Sequence, residues 1–253
     1  MYNLKEQRKE IVTVAYKAKQ GHLSSCFSVV EILNVLFKKI MKFNPQNPNA
    51  ESNDKLILCK GHAALALYVV LNDMGVISKD ELYSFTKFDS ILGEHPDRNK
   101  VPGVDISTGS LGHGFPEAVG IAIAYKAQGK SNKVFAVIGD GEANEGSIWE
   151  AAYVAVERQL DNIVCIVDDN NSECHMPGLG QKFLAFGWQV KEIDGNDVLQ
   201  LENALKVKCD KPYFIWAHTV KGFGSNTMCE QPEVWHHKMI SDTEYDKLME
   251  ELE

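Results

Sequence analysis

Basic runs are missing from this 253-residue chain: 26 Lys and Arg stand against 35 Asp and Glu, a formal charge of −9. Nucleic-acid binding needs clustered positive charge, so no nucleic-acid partner is expected. An anion could still be held through a metal ion. Long apolar runs are also missing. None approaches the ~18 residues that span a membrane, and the opening MYNLKEQRKE has no apolar secretion core. No membrane partner is expected. The six cysteines (Cys26, Cys59, Cys165, Cys174, Cys209, Cys229) contain no Cys-x-x-Cys pair, which removes the common zinc and redox motifs. Several lie inside apolar runs, as buried thiols do. His175 follows Cys174, but two adjacent ligands are too few for a soft-metal site, and a plain loop is expected there. A reducing, cytoplasmic setting fits these absences. With no repeat, low-complexity stretch or linker visible, and 44% apolar residues to build a core, a single domain over residues 1–253 is expected.

The elements read as an alternation. Apolar spacing predicts a helix over about 4–19, with Ile11, Val14, Ala15 and Ala18 on one face, and another over 29–41 after GHLSS breaks the first. KLILC (55–59) reads as a buried strand and GHAALALYVVLNDMG as a buried helix that Gly75 ends. Ser78 to Glu81 and Ser241 to Glu244 fit capping boxes. Residues 89–116 are rich in Gly, Pro, Ser and Asp, a long loop of the kind that carries function. Beyond it come strand 133–138, helix 147–158, strand 163–167, a loop and short helix, strand 188–194, helix 197–207 and strand 213–220. Strands alternating with helices imply the α/β class: a parallel sheet flanked by helices on both faces. Ligands of such sheets bind at the carboxyl ends of the strands.

Two of those ends carry unusual residues. VFAVI leads into Gly139-Asp140-Gly141, and IVCIV leads into Asp168-Asp169-Asn170-Asn171. Adjacent parallel strands lie about 4.8 Å apart, so Asp140 and Asn170 can converge. A carboxylate and an amide oxygen are hard donors suited to Mg²⁺, or to Ca²⁺ as a substitute, and Mg²⁺ is commonly shared with a phosphate. The glycines beside Asp140 would let that phosphate approach the backbone. GDGEANEG lacks the G-x-G-x-x-G register of a dinucleotide site.

Set beside KAKQGHLSS, KGHAALALY, GEHPD, VDISTGSLGHG, GDGEANEGSIWEAA, LDNIVCIVDDNN, FGWQVKEIDGND, AHTVKGFG and VWHHK, these residues resemble the transketolase family. The likeness runs from about residue 8 to the end, and it is to the amino-terminal domain that binds thiamine diphosphate. The pyrimidine-binding and carboxy-terminal domains have no counterpart here and are expected on a separate chain, so this sequence resembles the amino-terminal subunit of a split transketolase. The resemblance implies that Asp140, Asn170 and the backbone carbonyl of Ser172 hold Mg²⁺. It implies that Gly141 and His62 lie at the diphosphate, and that Gly109, Ser110 and Leu111 hold the aminopyrimidine. Glu145 would support cofactor activation at the partner interface, with Glu150 extending that network. His22, His95 and His236 would line the substrate channel or touch the diphosphate, where an imidazole can donate, accept or shuttle a proton.

The implied reaction moves a two-carbon ketol unit from a ketose, as a sugar or sugar phosphate, to an aldose acceptor. The chain would act only with its carboxy-terminal partner subunit, in an α2β2 heterotetramer. Two alternatives stay open: another thiamine diphosphate enzyme component, similar to a 1-deoxyxylulose-phosphate synthase or a 2-oxo-acid dehydrogenase, and a non-catalytic subunit with weakened cofactor binding. Three features depart from the family pattern: His113 where Gln is frequent, His237 where glycine commonly follows the histidine, and a shortened stretch, SECHMPGLGQKFLAFGW, after Asn171.

Overall fold

The computed structural model describes residues 2–171 and 174–253. Five strands, β1 (Lys55–Leu58), β2 (Val134–Gly139), β3 (Ile163–Asp169), β4 (Gln189–Asp194) and β5 (Tyr213–His218), form one sheet in the order β1-β2-β3-β5-β4. Every neighbouring pair is parallel. Strands β2 and β3 are central and buried along their whole length. That is why they read as unbroken apolar runs rather than as alternation.

Successive side chains on a strand point to opposite faces, and two cores result. Leu56, Phe135, Val137, Val164, Ile166 and Ile215 enter one, with Ile11, Val14 and Ala15 of the helix Leu4–Ala18 and the buried helix Ala64–Asp73. Ile57, Ala136, Ile138, Cys165, Val167 and Phe214 enter the other, under the helices Gly114–Ala127, Gly146–Glu157 and Leu179–Phe186. Both faces are therefore covered by helices. Among the described residues, no helix is long and apolar enough to cross a membrane.

Local signals behave as their chemistry requires. Gly75, at φ +75°, ends the helix Ala64–Asp73. Its N–H bonds the Asn72 carbonyl and the Val76 N–H bonds the Leu71 carbonyl, both at 2.9 Å, the paired closure a left-handed residue permits. Both capping boxes form, at Ser78 and at Ser241. Two expectations need correction. The run 29–41 is not one α-helix: Val30–Val35 gives way to a π-helical turn, Leu36–Ile40. The GHLSS break holds a short helix of its own, Leu23–Phe27. The helix Gly114–Ala127 has no signal in the periodicity. Its apolar residues are spread around it, with Phe115, Ala118, Val119 and Ala122 buried and Ile121 and Ile123 only partly so.

The long loop before that helix is pinned to the sheet. Buried Tyr68 donates its hydroxyl to the carbonyls of Gly93 and His95 at 3.0 and 3.1 Å. The Thr108 hydroxyl donates to the Leu58 carbonyl, at the end of β1, at 2.7 Å. A loop rich in Gly and Pro is thus held at the carboxyl edge of the sheet.

Candidate active site

The register Gly139↔Asp168 places the turn after β2 beside the end of β3. Asp140 is almost fully buried and caps a short 3-10 helix, Gly141–Asn144, its Oδ1 accepting the Gly141 N–H at 2.8 Å. Asp168 is fully buried and organises its surroundings. Its Oδ2 accepts from the Lys60 ammonium, from the Ser28 hydroxyl at 2.7 Å and from the Asn170 amide at 3.0 Å, while Oδ1 accepts from the Thr219 hydroxyl. Because the Asn170 NH₂ is committed to Asp168, its Oδ1 is turned the other way. That oxygen is buried and has no hydrogen-bond partner. A buried acceptor without a donor is costly, so the position suits a ligand that brings positive charge.

Asp140, Gly141 and Asn170 border one pocket of ≈ 110 Å³ together with Lys60, Lys221, His62, His236, Leu111, Gly139 and Glu142. A Cβ added at Gly139 would meet no atom within 4 Å, which leaves that wall open to a ligand. Carboxylate and amide oxygens thus stand on one side, and ammonium and imidazole groups on the other. His22 joins the histidines from the N-cap of the helix Leu23–Phe27. Its ring centre lies 5.4 Å from that of His62, 5.3 Å from His236, 6.3 Å from His95 and 4.7 Å from His237. Glu94 binds His237 at 2.9 Å and lies 3.5 Å from His22 Nδ1. A broader groove of ≈ 830 Å³ runs past His95 and Glu94 along residues 86–100. It borders neither Asp140 nor Asn170.

Burial sets the charge states. The His22 imidazole is pushed down to about 3, by burial first and then by His236, His237 and His95 around it. His62 is pushed down to about 2 by burial and by the nearby Lys60 ammonium. Both are neutral at pH 7, each offering one donor and one acceptor. Glu142 is raised to about 7 by burial, against the N–H bonds it accepts from Gly112 and Gly139. Those bonds clip the loop 109–112 to the end of β2.

The remaining expected residues lie around the pocket rim. Gly109, at φ +151°, packs against the His95 ring, where a Cβ would come within 2.9 Å of Cδ2. Ser110 and Leu111 are exposed beside it. Glu145 is the exposed N-cap of the helix Gly146–Glu157 and Glu150 is exposed one turn further on. Gly112, at φ +80°, lets the loop meet that cap, since a Cβ there would lie 2.5 Å from the Glu145 Cβ. Ser172 lies outside the described residues.

The family model for the transketolase thiamine diphosphate binding domain matches residues 5–252. The chain belongs to the transketolase family. It is 34% identical to an apulose-4-phosphate transketolase subunit of Phocaeicola vulgatus, over 98% of this chain and 91% of that one. It is 34% identical to a 6-deoxy-6-sulfo-D-fructose transketolase subunit of Clostridium sp. (strain MSTE9), over 92% of this chain and 88% of that one. Its fold superposes on the transketolase of Campylobacter jejuni with a TM-score of 0.90 at 30% identity, covering 98% of this chain and 42% of that one. The chain thus corresponds to the thiamine diphosphate-binding part of a transketolase and matches nearly the whole length of relatives named as subunits.

The residues present fit the family's cofactor. A pocket of this size suits the diphosphate end rather than the whole molecule, and the Asn170 oxygen supplies an acceptor for an accompanying cation. Sequence reasoning overlooked Lys60, Asp168, Glu142 and Lys221. The Lys60 ammonium meets Asp168 from the end of β1, and Glu142 takes the Gly112 N–H from across the pocket rim, pairings that no local motif announces. It also took His175 for a plain loop residue. The structure instead brings its Nδ1 to 3.4 Å from Asp140 Oδ2 and 3.2 Å from Asp169 Oδ1.

Proposed function

We propose that this chain is the diphosphate-binding subunit of a two-chain, Mg²⁺-dependent transketolase that moves a two-carbon ketol unit from a ketose, as a sugar or sugar phosphate, to an aldose acceptor. The observation that carries the reading is the single pocket in which Asp140 and the Asn170 oxygen face Lys60, Lys221, His62 and His236. Asp140, Asn170 and the Ser172 carbonyl hold the cation, which neutralises the diphosphate. His62, with the glycine turn at Gly141, lies along the diphosphate, and Gly109, Ser110 and Leu111 hold the aminopyrimidine. When bound, thiamine diphosphate supplies the ring that stabilises the carbanion of ketol transfer. His22, His95 and His236 present hydrogen-bonding groups to the hydroxyls of the sugar, and the neutral state of His22 lets it accept as well as donate.

The site is completed by a second polypeptide carrying the pyrimidine-binding domain. Supporting this are the relatives that are themselves named as subunits and the exposed rim formed by Ser110, Leu111, Glu145 and Glu150. Glu145 joins the partner's carboxylate network there, and the assembly is an α2β2 heterotetramer. Residues 1–253 act as one diphosphate-binding domain. The six unpaired cysteines suit a reducing compartment, and we assign the enzyme to the cytoplasm. Reconstitution tests the reading. The chain alone, with Mg²⁺ and thiamine diphosphate, is expected to transfer no ketol unit from a ketose phosphate to an aldose, and the chain mixed with its partner to do so. Activity in the isolated chain, or a reconstituted pair that uses pyruvate in place of a ketose donor, would overturn it.

A further inference from the structure

The loop that shortens the family pattern after Asn171 carries an imidazole into the cation site. His175 Nδ1 lies 3.4 Å from Asp140 Oδ2 and 3.2 Å from Asp169 Oδ1. The three donor atoms of Asp140, Asp169 and His175 all lie within 4.8 Å of one another. The arrangement is anchored on each side. The Asn144 amide donates to the Cys174 carbonyl at 2.6 Å and to the Gly141 carbonyl at 3.1 Å, tying the residue before His175 to the turn after Asp140. Asp169 is held through its other oxygen, which accepts from Trp216 Nε1 at 2.5 Å and faces His218 Nδ1 at 3.2 Å. Its Oδ1 is buried and, like the Asn170 oxygen, receives no hydrogen bond of good geometry. Asp169 Oδ1 and the imidazole therefore meet beside Asp140, whose pocket Asn170 also lines.

Spacing and donor type together argue for a shared ion. Ligands at right angles on an octahedral ion, with bonds of about 2.1 Å, sit about 3.0 Å apart. Separations of 3.2 and 3.4 Å need only a small closure to reach that. Magnesium and calcium favour oxygen, whereas imidazole nitrogen is a good ligand for manganese and cobalt.

We propose that His175 is a direct nitrogen ligand of the divalent cation held by Asp140 and Asn170, and that it shifts this site toward Mn²⁺ or Co²⁺ relative to Mg²⁺. The proposal rests on the cation site of the proposed function and adds a ligand to it. The full-length chain is to be titrated with MnCl₂, and the bound ion examined by electron spin echo modulation. Wild type is expected to show coupling to an imidazole nitrogen, and His175→Ala to lose it while still binding Mn²⁺. The ratio of Mg²⁺ to Mn²⁺ dissociation constants should fall at least tenfold in His175→Ala. Bound Mn²⁺ that requires Asp140 but shows no nitrogen coupling, or an unchanged ratio in His175→Ala, overturns the His175 proposal alone. If wild type binds no Mn²⁺, or if Asp140→Ala binds it equally well, the cation site itself falls and this proposal with it.

Discussion

The two sides of the pocket are built differently. The cation side comes from the ends of two central strands. Asp140, Asp168 and Asn170 are buried, and Asp168 alone accepts from Lys60, Ser28, Thr219 and Asn170. The histidine side is gathered from loops and short turns: His22 at a helix cap, His62 in a 3-10 turn, His95 in the long loop and His236 near the carboxyl end. One side takes its geometry from sheet register, the other from a few tethers. The matched family model is a thiamine diphosphate binding domain, while two of its relatives are named for different sugars. A rigid cation side and a histidine side that loop changes can reshape match that division of labour.

Cutting the centre of the rigid side should have the largest effect. Asp168→Ala leaves the Lys60 ammonium buried without its partner, and such losses cost on the order of 3–5 kcal/mol. It also releases the Asn170 amide that aims its oxygen. Urea unfolding should show the stability loss, and calorimetry should show weakened Mg²⁺ binding in whatever remains folded. Wild-type stability in this variant would mean that the side is not organised around Asp168.

Cutting a tether of the histidine side should do less to the fold and more to the substrate. Tyr68→Phe removes the hydroxyl that Gly93 and His95 share, worth about 1 kcal/mol. In the reconstituted enzyme it should raise KM for the sugar while leaving the affinity for thiamine diphosphate within about twofold. Equal damage to both would erase the distinction between the two sides.

A further effect expected is one of pH. His22 stays neutral in the fold down to about pH 3, while in the unfolded chain it protonates below its ordinary value near 6.5. Between those values the unfolded state binds more protons, so stability rises with pH across the window. This contribution is complete above about 6.5 and is lost as the pH falls from there. His22→Asn should therefore lose less stability than wild type between pH 7.5 and 5, read from urea midpoints. An equal loss in both would mean that His22 is not held neutral.

The sequence revealed the rigid side more readily than the adaptable one, for physical reasons. Strands β2 and β3 are buried on both faces, so their apolar runs and the polar residues that end them stand out. Asp140 and Asn170 follow at once. Glu142 did not, because its role lies in bonds to Gly112 and Gly139, and only the fold brings the first of these near. The helix Gly114–Ala127 was hidden because its small and apolar residues make no stripe. His175 was hidden because its neighbours in space, Asp140 and Asp169, come from the ends of two strands.

In the proposed site, Asp140 and Asn170 grip one cation that binds the diphosphate. The most direct test is a crystal structure of the chain with its partner, thiamine diphosphate and Mg²⁺. One ion is expected, bonded to Asp140, to Asn170 Oδ1 and to diphosphate oxygens. A diphosphate bound with no ion between those two residues, or with the ion held elsewhere, would contradict it.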